Sequence, residues 1–213
     1  MTEPWPGVFG TALETREMCT VHGLSRRPQT LPIGAWRAHA SSSDRVLLRH
    51  CVGATLDVGC GPGRMTAMLV RNGHRALGID VVPEAVAQAS RRGVPALLCD
   101  VLQSRVPGAG TWATVLLADG NLGIGGDPGR LLRRAAMLLE PGGRVVADLA
   151  PPGAGLRRSL VTLECDGRRS SPFPWATVGA ECVAELSVGA GLRLSRVRQH
   201  EGRWFAVLLK GSS

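Results

Sequence analysis

The nine residues Leu56-Asp57-Val58-Gly59-Cys60-Gly61-Pro62-Gly63-Arg64 constrain this chain more than any others. An apolar run ends in an acidic side chain, and three alternating glycines then turn the backbone into a segment of helical periodicity. Glycine adopts left-handed backbone angles without a steric penalty, and without a Cβ it lets the main chain come within contact distance of a ligand. A strand, a glycine turn and a helix start in that order make the ligand-binding corner of an open α/β sheet.

The rest of the chain supports a sheet of that kind. From Thr55 onward, short apolar runs alternate with helix-period segments, the signature of βαβ units. Thr55–Val58 reads as the first strand and Arg64–Asn72 as its helix, closed by Gly73. Ala76–Ile79 is the second strand, and a helix opens at Pro83 and stops at Gly93. Pro95–Cys99 and Ala113–Ala118 follow as strands. A glycine-rich loop then leads to a helix from Pro128 whose Leu131, Leu132, Ala135, Leu138 and Leu139 share one face. Arg144–Leu149 is the fifth strand, Gly179–Ala190 a helix, and Leu192–Gln199 with Trp204–Leu209 a closing hairpin turned at Glu201-Gly202. The expected fold is α/β, a doubly wound, mostly parallel seven-stranded sheet with an antiparallel C-terminal strand. Residues 1–45 are expected to form a helical N-terminal cap on a Rossmann-like domain spanning 46–213. An insertion at about 151–177, with a strand at Ser159–Cys165, completes the expected organisation. Cap and insertion would lie outside the carboxyl ends of the strands, where open α/β sheets bind ligands.

The G-x-G-x-G spacing differs from the G-x-G-x-x-G of nicotinamide enzymes, in which a helix start meets a pyrophosphate. With its preceding Asp57 it resembles the first motif of class I S-adenosylmethionine-dependent methyltransferases. Companion motifs follow: Gly78-Ile79-Asp80 at the end of the second strand, Cys99-Asp100-Val101 at the third, Asp119-Gly120-Asn121 at the fourth, and Leu139-Glu140-Pro141-Gly142-Gly143 before the fifth. The resemblance implies S-adenosylmethionine as cofactor, with S-adenosylhomocysteine as product. It implies that Asp57, Gly59, Cys60, Gly61 and Gly63 wrap the methionine and ribose, that Asp80 with Val81 accepts the ribose hydroxyls, and that Asp100 with Val101 meets the adenine. Asp119 and Gly120 would contact cofactor or substrate. Each aspartate has a plainer alternative: Asp57 as a cap of the first turn, Asp80 and Asp100 as solvated strand ends, Asp119 as the start of its loop.

Composition narrows the partners. The 213 residues carry 25 Lys and Arg against 17 Asp and Glu, a formal net charge of +8. Clustered basic residues would attract phosphates. Here the arginines are dispersed in pairs and Lys210 is the only lysine, so a solvated surface is the expected reading. Motifs of the family's DNA-modifying members are missing, since no Asn/Asp-Pro-Pro-aromatic run follows the fourth strand and no proline precedes a cysteine. A small-molecule acceptor is expected, and nucleic acid is not. The Arg-, Ala- and Gly-rich composition fits a bacterial secondary-metabolite enzyme. An RNA-modifying enzyme and a non-catalytic cofactor-binding protein stay open as alternatives. The six cysteines show no C-x-x-C pair, so reduced structural thiols are expected and no metal site. No run approaches the ~20 apolar residues of a membrane span, which leads to a cytoplasmic expectation.

Methyl transfer is an in-line displacement at carbon that depends on alignment and exclusion of water. A hydroxyl acceptor would need a base. His22 and His39, in the cap, are the candidate bases because histidine titrates near neutrality, and Asp119 is a third catalytic candidate. Trp36, Arg37 and Asp44 could reach the cofactor from the cap. Trp5, Phe9, Phe173 and Trp175 are the other rings in the two wall segments, and with no tyrosine present they would supply any stacking surface.

Overall fold

A computed structural model describes residues 2–15 and 17–212. Residues 1 and 16 of the expected cap lie outside the described residues. The chain opens with α1 (Trp5–Thr15), strands β1 (Cys19–His22) and β2 (Gln29–Thr30), and helices α2 (Ile33–Arg37) and α3 (Ser42–Leu48). The alternating part runs β3 (Thr55–Val58), α4 (Arg64–Arg71), β4 (Ala76–Asp80), α5 (Pro83–Arg91), β5 (Ala96–Leu98), β6 (Trp112–Leu117), α6 (Pro128–Leu138) and β7 (Leu139–Leu149). It is followed by β8 (Leu156–Cys165), β9 (Arg168–Arg169), β10 (Phe173–Val178), α7 (Val183–Val188), β11 (Leu192–His200) and β12 (Arg203–Lys210).

The main sheet has seven strands in the order β11-β12-β7-β6-β3-β4-β5. All its pairings are parallel except those of β12, which runs antiparallel to both β7 and β11. The middle strands β3 and β6 are buried at every residue, as strands covered on both faces must be. Leu131, Leu132, Ala135 and Leu138 of α6 and Val183 of α7 fill the core on one face. Leu47 and Leu48 of α3 with Met65 and Leu69 of α4 fill it on the other. The strand order reverses at β3, with β4 and β5 on one side and β6 and β7 on the other, and this switch point leaves a crevice at the carboxyl edge.

A second sheet stands over that edge. Its antiparallel order is β10-β8-β1-β2, with β9 added beside β8. The cap is therefore helical at α1, α2 and α3 but also contributes two strands. The insertion is a set of strands rather than a loop with one. Val21, Val161 and Leu163 turn inward from β1 and β8 and pack with Val8, Ala12 and Leu13 of α1 in a core of their own. Alternation on β1 was not legible because four residues are too few to separate a strand from a loop. Two further boundaries moved: the last helix is the short α7, and β7 begins at Leu139, which pairs with Trp112 across a register shift.

The expectation of reduced thiols throughout is corrected at one pair. Cys19 and Cys165 face each other directly in the β1–β8 pairing, with Cα atoms 4.3 Å apart, and are joined in a disulfide. Local spacing could not reveal it, because 146 positions separate them. Cys51, Cys60, Cys99 and Cys182 are free. Among the described residues no helix is long and apolar enough to cross a membrane.

The bond closes a long loop, so the chain-entropy argument gives it weight in stability. Cys165→Ser is expected to lose about 2–5 kcal/mol in urea unfolding. Excess reductant should bring the parent chain down to the variant's midpoint and leave the variant where it is.

Candidate functional site

A cavity of about 480 Å³ lies between the carboxyl edge of the main sheet and the second sheet. Its floor is the glycine turn after β3. Gly59, Gly61 and Gly63 all have positive φ, at 70°, 54° and 83°. They do different work. A Cβ on Gly61 would meet nothing within 4 Å, since it would point into open space beside the cavity wall. A Cβ on Gly59 would stand 2.6 Å from the Asn121 amide, and one on Gly63 would stand 2.8 Å from Ala89 of α5. Gly63 thus serves helix packing and does not line the cavity. Asn121 Nδ2 donates to the carbonyls of Val58 and Gly59, both at 2.9 Å, so the loop after β6 buckles the loop after β3.

The acidic strand ends converge on the cavity. Asp80 Oδ2 accepts from the Gly61 N–H at 2.8 Å, and Oδ1 accepts from the Val82 N–H at 3.0 Å. A carboxylate has about four acceptor sites, so further lone pairs stay available for hydroxyls. Burial pushes the Asp80 carboxyl up and these backbone amides pull it back. Asp100 Oδ1 accepts from the Leu102 N–H at 2.8 Å and Oδ2 from Gln103 Nε2 at 2.9 Å. Asp57 is fully buried and accepts from the Thr66 hydroxyl at 2.7 Å, with burial pushing its carboxyl up to about 7. Cys60 lines the cavity over Gly78, and burial pushes its thiol up, away from thiolate chemistry. Val81 and Val101 line the cavity beside their aspartates, whereas Gly120 does not. With φ of 81° Gly120 starts a 3-10 turn at Asn121–Gly123.

Asp119 belongs to a partly buried charge network. Arg64 Nη2 donates to both Asp119 oxygens at 2.7 and 2.6 Å, and Arg64 Nη1 reaches Asp44. Arg203 Nε donates to Asp148 Oδ1 at 2.7 Å, and the same guanidinium also pairs with Asp44. The Asp119 N–H donates to Asp148 Oδ2 at 2.6 Å, which holds Asp119 at a φ of 54°. Burial raises the Asp44 carboxyl, but the Ser41 amide and the two guanidiniums outweigh it and hold it below the usual carboxylate range. Arg64 lines the cavity, and its Nε is buried with no hydrogen-bond partner among the described residues.

The candidate bases are not brought to the cavity. His22 sits on β1 on the opposite side from the cavity-lining Val21, and its Nε2 lies 3.1 Å from Glu164 of β8. His39 is exposed between α2 and α3. Strand alternation put one outside, and a solvated connection put the other there. Asp119 is at the cavity, clamped by Arg64. Arg37 turns away and donates to the Leu13 carbonyl at 2.9 Å. Asp44 acts at one remove, through Arg64. Trp5, Phe9, Trp36, Phe173 and Trp175 all line the cavity. Sequence reasoning missed Asp148 and Arg203 because a charge network has no spacing signal. The one hint was Asp148 inside the apolar run 145–149 of β7.

Two predictions follow from the buried charges. Arg203→Met strands the Asp148 carboxylate, leaves Asp44 to Arg64 alone and is expected to lose about 3–5 kcal/mol at pH 7. The deficit should narrow in acid, where Asp44 protonates, in urea titrations across pH. Asp57 behaves in the opposite sense to an ion-paired carboxylate. Its folded value of about 7 lies above the ordinary 3.8, so the stability it contributes in acid is lost as pH climbs between the two. Asp57→Asn should therefore gain on the parent chain steadily over that interval, and a constant offset would contradict the assignment.

Residues 55–143 match the family described as a methyltransferase domain. The ubiquinone biosynthesis O-methyltransferase of Xanthomonas oryzae pv. oryzae is 30% identical over 137 residues, 62% of this chain and 50% of that protein. The chain thus spans about half the length of the curated relatives it matches. A methyltransferase from Bacteroides fragilis, solved with S-adenosyl-L-homocysteine, has a TM-score of 0.81 at 18% identity, covering 99% of this chain and 95% of that one. The 1,6-didemethyltoxoflavin-N1-methyltransferase of Burkholderia thailandensis has a TM-score of 0.65 at 20% identity, covering 97% and 87%. These two likenesses speak for the fold. With the glycine turn, the acidic strand ends, the antiparallel β12 and the domain match all pointing one way, residues 55–143 carry a methyltransferase domain within a fold shared with S-adenosylmethionine-dependent methyltransferases.

Proposed function

We propose that this chain binds S-adenosylmethionine and transfers its methyl group to a small molecule. The observation that carries the reading is the convergence of Asp80, Asp100 and the open face of Gly61 on one cavity. The residues present fit the cofactor. Asp80 keeps lone pairs for two ribose hydroxyls, Asp100 and Val101 stand at the end of β5 for the adenine, and Gly61 leaves the room that a Cβ would fill. Arg64 offers a buried, unpartnered Nε near the glycine turn, suited to the methionine carboxylate. When bound, the cofactor supplies a methyl group made electrophilic by its sulfonium.

The chain's own residues bind, orient and exclude water. Residues 46–213 serve as the cofactor-binding domain, and the cap with the 151–177 insertion serves as the wall against which an acceptor is held. The Burkholderia thailandensis neighbour is named for a small-molecule acceptor and the Xanthomonas oryzae relative for ubiquinone biosynthesis, which supports a small-molecule acceptor here. The acceptor cavity offers no histidine, so Asp119 and the aspartates of the strand ends are its carboxylates, and each is already engaged.

Calorimetry with S-adenosylhomocysteine tests the reading. The parent chain should bind saturably, and Asp80→Ala should weaken binding tenfold or more, about 1.4 kcal/mol or above. Circular dichroism of that variant checks that the turn has survived. Undiminished affinity in a folded Asp80→Ala chain would overturn the assignment.

A further inference from the structure

We propose that the acceptor is a flat, uncharged aromatic molecule that is methylated on a ring nitrogen or ring hydroxyl without help from a protein base. The inference rests on the methyltransferase reading above and deepens it.

The wall opposite the glycine turn carries the first part of the argument. Twelve of the cavity's lining residues come from the cap and the insertion, and none of the twelve has an ionisable side chain. Five are the rings of Trp5, Phe9, Trp36, Phe173 and Trp175, and the other seven are valine, leucine or proline. The chain has only eight tryptophans and phenylalanines and no tyrosine, so more than half of its rings are gathered at one wall. Trp112 and Phe205 are 5% and 1% exposed, whereas each of the five wall rings is partly buried, packed on one side against the core beneath α1 and lining the cavity on the other.

The rings form two contacting groups on the wall. Trp5 stacks on Phe173 with centroids 4.7 Å apart, and Phe173 meets Trp175 edge-on at 6.4 Å and 87°. Phe9 and Trp36 make a second tilted contact at 5.9 Å and 62°. Faces and edges set at such angles receive another ring in offset or edge-to-face contact better than they receive a flexible chain. A flat ligand also loses less conformational freedom on being held. Charge is disfavoured, because an ion entering this wall would give up its hydration with no opposite charge among the twelve residues.

The other side of the cavity decides what kind of atom can react. Its charged side chains are Asp57, Arg64, Asp80, Asp100 and Asp119. Asp57 is tied to Thr66, Asp119 to Arg64, and Asp80 and Asp100 to backbone amides. His22 and His39 lie off the cavity. An aliphatic alcohol, which hardly ionises at neutral pH, would find no histidine here, and the carboxylates present are committed to Thr66, Arg64, backbone amides and the cofactor's hydroxyls. A ring nitrogen or a ring hydroxyl does not need one. The acceptor's lone pair forms the bond to the methyl carbon as the carbon–sulfur bond breaks and its electron pair returns to sulfur. The sulfonium becomes a neutral thioether, and the acceptor's N–H or O–H proton passes to water.

The test uses the full chain saturated with S-adenosylhomocysteine and three calorimetric probes. 2-Naphthol is flat and neutral, naphthalene-2-sulfonate has the same rings with an anionic charge, and decan-1-ol has the same carbon count without a ring. 2-Naphthol should bind at least tenfold tighter than either of the others. Trp36→Ala and Trp175→Ala should each weaken it fivefold or more, while Trp36→Phe and Trp175→Phe restore most of the loss. S-Adenosylhomocysteine affinity should stay within twofold throughout. Equal or tighter binding of the sulfonate or the alcohol would overturn the inference, as would indifference of 2-naphthol to both alanine variants. A parent chain that binds S-adenosylhomocysteine but not 2-naphthol sinks the acceptor inference alone. One that fails to bind S-adenosylhomocysteine sinks the methyltransferase reading with it.

Discussion

Three carboxylates and two guanidiniums, Asp44, Asp119, Asp148, Arg64 and Arg203, meet at the carboxyl edge of the main sheet, with Asp44, Asp148 and Arg64 buried. Each comes from a different element or its end: α3, the loop after β6, β7, the start of α4, and β12. Burying an ion without a partner costs several kcal/mol, so these five must meet or none can be buried. Their meeting fixes where the first helix of the main domain lies, how the glycine turn sits against the loop after β6, and how the antiparallel strand closes on its neighbour. A capping box helps, since Ser41 and Asp44 exchange hydrogen bonds at the start of α3 and leave the Asp44 carboxylate turned to both arginines.

The site uses this rigidity at two places. Asp119 is held in a left-handed conformation, with its amide tied to Asp148 and its carboxylate to Arg64, and the chain can then enter the short turn that presents Asn121. Asn121 spends both amide hydrogens on carbonyls of the glycine turn. A strained backbone of this kind persists only where its surroundings over-determine it. The carboxylates that a cofactor would meet are thus positioned before any ligand arrives, which is what electrostatic recognition in a buried site requires.

The second sheet has a different logic. It carries no residue of the cofactor motif, yet it closes the cavity. Its strands are drawn from two segments far apart in the chain and are held by the β1–β8 pairing, the disulfide and a shared core beneath α1. Because cofactor floor and acceptor wall are built by separate elements, the wall can be changed without disturbing the floor. Function varies on such folds through the segments grafted at the strand ends.

The central strands, their helices and the closing hairpin could be read from the chain because each has its own period, and the acidic strand ends because the motif fixes them within a few positions of the glycines. Gly59, Gly61, Asp80 and Asp100 all line one cavity. Gly63 and Gly120 were legible as glycines that must turn, but not as glycines that leave the cavity to others. The pairing of Cys19 with Cys165, the strands of the cap, the withdrawal of His22 and His39 and the five-charge network were decided only by tertiary structure. Periodicity reports which side of one element is apolar, and it carries no information about which distant element that side will meet. The local chain therefore determined a cofactor-binding sheet, while long-range packing alone determined the wall that an acceptor would touch.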